Sequence, residues 1–240
     1  ASAGTLTFTA AQILTVRNVT LSSSMTISGT GSLRCLNTGV SGTWTSNTKV
    51  LSCALIIQSQ VITLADNWDV SGAITFAGGA NQIDGNTLTF RGNVTSSTFT
   101  HSGTTNWIAG IASGTQIVNI SAGFYSNFEV NAAGTVTLTA LVMTAGKELK
   151  YTAGTISASG TVTLSGDTTL TGWTGNQLYN LTLTTGSVET ITLSNATNVR
   201  GILTFGGTAK TFSGAYDITC AALTFSGAGT HTLSGNIDCA

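Results

Sequence analysis

Apolar and polar residues alternate strictly over many short stretches of this chain. Thr5-Leu6-Thr7-Phe8-Thr9 places Leu6 and Phe8 on one side and three threonines on the other. Thr135-Val136-Thr137-Leu138-Thr139, Thr161-Val162-Thr163-Leu164 and Asn180-Leu181-Thr182-Leu183-Thr184 repeat the arrangement. A period of two in β-branched and aliphatic residues is the pattern of a strand with one buried face. Glycine or asparagine soon interrupts most runs, as at Ser28-Gly29-Thr30-Gly31, Ser165-Gly166-Asp167 and Ser226-Gly227-Ala228-Gly229. The pattern predicts an all-β chain of short strands joined by tight turns.

The strands also recur. Residues 61–85 align without gaps on residues 190–214, with Ile62/Ile191, Leu64/Leu193, Val70/Val199, Gly72/Gly201, Phe76/Phe205 and Gly85/Gly214 identical at an offset of 129. Leu149-Lys150-Tyr151 aligns on Leu203-Thr204-Phe205 at an offset of 54, and Leu203-Thr204-Phe205 returns as Leu223-Thr224-Phe225 at an offset of 20. Tandem β-sandwiches would account for the longest offset, but the shorter two are too small for separate sandwiches. The clear hairpin dipeptide, Asp84-Gly85, stands alone. A parallel β-solenoid of about 12 coils, each of roughly 18–21 residues, satisfies all three offsets. At ~4.8 Å per coil it would be a rod about 55–60 Å long. Residues 49–240 carry the repeats. Residues 1–48 match them less well and read as capping or attachment coils.

Composition narrows the function. Of 240 residues only 17 are charged, the net charge is -1, and proline is absent. Thr, Ser and Gly together fill 100 positions. Eight cations over this length cannot make a phosphate-binding surface, which excludes nucleic acid as a partner. No apolar run approaches the ~18 residues of a membrane helix, and residues 1–10 do not read as a secretory signal. Interrupted strands also argue against an outer-membrane barrel. Proline removes a ladder donor, so its absence suits a chain that lies almost wholly in ladders.

Candidate chemistry is sparse. Cys35, Cys53, Cys220 and Cys239 all keep the parity of core residues, and the pairs Cys35/Cys53 and Cys220/Cys239 stand at offsets of 18 and 19. They serve either as small apolar core residues or as cross-coil pairs within disulfide reach. No Cys-x-x-Cys spacing supports zinc, and no cofactor is expected. Asp66 and Asp69 form the densest acidic patch and are the candidates for a β-helical carbohydrate-active enzyme. The aligned positions Asn195 and Asn198 favour an Asx-rich turn instead. His101 and His231 sit in turn-like contexts and read as surface residues. Rows of outward Thr raise ice binding as a minor alternative. Trp44, Trp68, Trp107 and Trp173 follow no coil spacing, which argues against a regular sugar-stacking ladder.

From about residue 50 onward, runs such as Tyr179-Asn180-Leu181-Thr182-Leu183 and Leu223-Thr224-Phe225-Ser226-Gly227 resemble the repeats of large bacterial surface adhesins. They equally resemble β-helical segments of bacteriophage tail fibres and other virion appendages. The resemblance implies an extracellular, non-catalytic rod. Its partners would be further copies of the chain, a trimer included, or other fibre and virion proteins. The adhesin variant would bind surface glycans or partner surfaces. No functional residue carries over from either family.

Overall fold

The computed structural model describes residues 4–22, 24–36, 42–58, 61–77, 80–96, 101–144, 146–175, 178–184, 189–207, 209–227 and 229–240. Their regular structure is entirely β, and every recorded strand pair is parallel, joining one strand to another about a coil later. The chain winds as a three-sided parallel β-solenoid. The first side runs through Gly4–Phe8, Met25–Gly29, Val50–Leu51, Trp68–Val70, Leu88–Phe90 and Trp107–Ala109. It continues through the start of Phe128–Met143 and of Lys147–Ile156, then Thr168–Thr171, Glu189–Leu193, Lys210–Ser213 and Thr232–Leu233. These twelve rungs are separated by eleven steps, or roughly 53 Å at ~4.8 Å per step. One step runs from Leu51 to Val70, an offset of 19, and another from Val19 to Trp44, an offset of 25. Coil length therefore varies more than the sequence offsets predict.

The second side opens with Ile13–Val16, Ser32–Leu36 and Ala54–Gln58, and the third with Val19–Thr20, Gly42–Thr45 and Val61–Leu64. From Thr115 onward strands continue around the corners. Phe128–Met143 pairs at Phe128–Val130 on the first side, from Thr135 to Leu141 on the second, and at Met143 on the third. Met25–Gly29 and Val50–Leu51 lie on either side of residue 48, and Ile27 pairs with Leu51, so the ladders run across that point.

Alternation decides what lies inside. Trp68, Leu88, Trp107, Phe128, Leu149, Leu170 and Leu193 form one in-register inward column, all buried. Thr163, Thr182, Thr204 and Thr224 form an outward one. Removing an inward column from water at about 25 cal/mol per Å² is the main driving force for stacking coils. Corners are held by side chains reaching across coils. Asn18, Asn67, Asn93, Asn127, Asp167, Asn180 and Asp217 each accept a backbone N–H of the next coil through Oδ1, at 2.7–3.0 Å. These bonds satisfy amide donors at bends where the ladder is interrupted.

Candidate functional site

Asp66 and Asp69 flank one corner and do different structural work. The Asp66 carboxylate accepts the N–H groups of Ser46 and Asn47, both at 2.7 Å. The turn it holds carries two non-glycine residues in the left-handed region, Asn47 (φ 50) and Thr48 (φ 64), so the carboxylate anchors a costly turn. Asp69 receives Arg91 Nε at 2.8 Å and Nη2 at 2.6 Å, while Arg91 Nη1 donates to the Gly110 carbonyl at 3.0 Å. This hydrogen-bonded carboxylate raises the Arg91 guanidinium above its ordinary value. Both acids therefore tie neighbouring coils together.

Ion pairing follows the same rule. Arg91–Asp69, Lys150–Glu129 and Lys210–Glu189 each join positions one coil apart. The third pair escapes a reading of the sequence alone. Lys210 Nζ lies 3.1 Å from Glu189 Oε2, with the two side chains 0% and 2% exposed. The available signal is a pair of opposite charges one coil apart, in a run where Arg200 is the only other charge.

His101 corrects the surface reading. It is buried, in register with Asn81 on one side and Phe124 on the other. Its ring lies 4.6 Å from Trp107, 5.0 Å from Phe76 and 5.1 Å from Phe124, centroid to centroid. Neither ring nitrogen has a hydrogen-bond partner. Desolvation pushes its pKa down to about 3, so the imidazole is neutral inside an aromatic box. The surface position expected of a turn fails because His101 opens a strand at an inward position. His231 is half-buried against Phe205 and Phe225 and accepts the Lys210 N–H at 3.2 Å.

All four tryptophans are buried. Trp44, Trp68 and Trp173 donate Nε1 to the carbonyls of Arg17, Trp44 and Leu149. These three are packing residues with satisfied donors, not sugar platforms. The cysteines divide. Cys220 and Cys239 are in register on adjacent coils, with their sulfurs 2.9 Å apart. Cys35 stands in register with Val16 and Ile57 instead of Cys53. The rung step there runs from position 35 to position 57, and Cys53 falls four positions short. The Cys35 side chain lies outside the described residues. Cys53 is buried, and burial pushes its thiol up.

One outer strip has the shape of a binding surface. A hollow of about 210 Å³ lined by Thr87, Asn106, Asn127, Glu129, Glu148 and Lys150 adjoins one of about 490 Å³ lined by Lys147, Asp167, Thr169, Thr190 and Thr192. The two share Asn127 and Glu148. Its carboxylates are already engaged: Thr152 donates to Glu129 at 2.5 Å, Thr171 to Glu148 at 2.7 Å, and the Thr190 N–H to Asp167 at 2.7 Å. Further along the same side, Thr190, Thr211 and Thr232 align on successive coils. The strip offers hydroxyls, amides and paired charges in rows, which suits an extended polar ligand. Among the described residues, no group of three or more His, Cys, Asp or Glu side chains converges as metal ligands would. No protein-family model, curated protein or solved structure matches the chain.

Proposed function

We propose that this chain is a structural, non-catalytic rod of an extracellular fibre, with a bacteriophage virion appendage as the leading setting. The observation that carries the reading is where the polar groups go. Asp66, Asp69, Glu129, Glu189 and the corner Asx residues all bond across coils, and this stiffens the winding. Continuous ladders on three sides resist bending, as a fibre segment must. The low surface charge, with Ile117, Ile202, Tyr125 and Tyr216 exposed, supports burial against further copies, a trimer among them, or against other fibre proteins. Antibodies raised against the chain test the setting. Immunogold label on virion appendages supports it, and label confined to the cell interior refutes it.

A second reading, a surface adhesin module, is favoured by the polar strip around Asn127 and Glu148. Glycan-array binding that is lost in Glu148→Ala and Lys147→Ala would establish this reading. Silence on the array with an intact fold would remove it.

A further inference from the structure

We propose that Cys220 and Cys239 are a redox-sensitive pair whose oxidation staples two adjacent coils to each other. Three observations converge. The residues are in register on adjacent parallel rungs, which sets their Cα atoms at a spacing of ~4.8 Å, inside the range a disulfide spans. Their sulfurs already touch at 2.9 Å. Cys239 is exposed, and beside Cys220 lies a groove of about 350 Å³ lined by Asn198, Arg200, Thr219 and Ala240, so an oxidant can reach the pair. Cys53 provides the contrast, being wholly buried with Leu33, Leu55 and Ile57 in the same core.

The chemistry is thiol–disulfide exchange with a small disulfide such as glutathione disulfide. The exposed Cys239 thiolate attacks one sulfur of the oxidant, forming a mixed disulfide and releasing one glutathione thiolate. The Cys220 sulfur then attacks the Cys239 sulfur, forming the Cys220–Cys239 bond and displacing the second glutathione. The protein loses two electrons and two protons, and the oxidant becomes two thiols. Burial, which persists once Cys239 is bonded to glutathione, pushes the Cys220 thiol up and slows this second step.

A bond between residues 220 and 239 ties the coil that carries Cys239 to the coil before it.

The full chain is equilibrated in glutathione buffers from reducing to oxidising and read by intact mass, peptide mapping and hydrogen exchange. The expected result is loss of two hydrogens, a Cys220–Cys239 linked peptide, and amide exchange over residues 218–240 slowed by roughly tenfold or more. Cys239→Ser, at an exposed position, keeps the fold and removes the redox response. Two freely alkylated thiols at 220 and 239 in the oxidising buffer overturn the proposal, as does linkage only between molecules. This test is independent of the fibre reading, since either role for the rod leaves the pair in place.

Discussion

Lys210 and Glu189 illustrate what charge does inside this chain. The ammonium is fully enclosed, and the carboxylate beside it supplies the counter-charge at 3.1 Å. Removing one partner strands the other without water. Lys210→Met is expected to destabilise the fold by about 3–5 kcal/mol in denaturant titration, and Glu189→Leu added to it to recover much of that loss. His101 gives the complementary case. Its folded pKa is about 3 against 6.5 for the free group, so between these values the unfolded chain binds more protons than the folded one. The contribution is therefore fully present above about pH 6.5 and is lost progressively as the pH falls toward 3. His101→Leu should flatten the slope of stability against pH in that window, and an unchanged slope would show that His101 does not set it. Neither residue is legible as a core group in the sequence, because a His or Lys in a Thr-rich run looks outward until the register of the next coil is known. Asp66 is legible as a turn residue, whereas Asp69 lies in the strand Trp68–Val70, and their cross-coil partners Ser46, Asn47 and Arg91 are not legible.

At the level of elements, the repeating unit is one side of the triangle, shorter than a coil. Residues 61–64 lie on the third side, whereas the residues aligned to them at an offset of 129 begin at Glu189–Leu193 on the first. Likewise Leu149-Lys150-Tyr151 is on the first side, whereas Leu203-Thr204-Phe205 pairs with Leu181-Thr182-Leu183, off that side. The three sides bury the same kinds of residue at the same parity, so sequences match from one side to another as readily as from coil to coil. Of the three repeat offsets, 129, 54 and 20, only the last, from Leu203 to Leu223, is a true rung step. Alternation therefore reveals the strands and their inward faces. The uneven corners hide the register, and with it the failure of Cys35 to meet Cys53. Corners are also where single residues matter most. Gly160 has φ +95, and a Cβ there would overlap the Leu138 carbonyl oxygen of the coil before it. Gly160→Ala is expected to cost about 2–3 kcal/mol, measured as a lower unfolding midpoint. An unchanged midpoint would mean that the corner is not tightly wound against its neighbour.

For the whole molecule, the scarcity of charge and the absence of proline follow from the winding. Backbone groups pair from coil to coil, inward columns take Leu, Ile, Val, Phe and Trp, and outward columns take Thr and Ser. What this leaves on the outside is a stiff body with a polar strip, which supports the proposed structural role. In one continuous winding, distance grows by a fixed amount per rung. This scaling is tested by spin labels on cysteines introduced at outward positions of the first side, with the four native cysteines replaced by serine, using double electron–electron resonance. Thr89 and Thr171 are four rungs apart through Ile108, Glu129 and Lys150. Thr5 lies four rungs before Thr89 on the same column, through Thr26, Val50 and Asp69. The expected separation is ~19 Å for Thr89 with Thr171 and ~38 Å for Thr5 with Thr171, doubling as the rung count doubles. Separations that do not scale with rung count, as in a pair of antiparallel sandwiches, would contradict it.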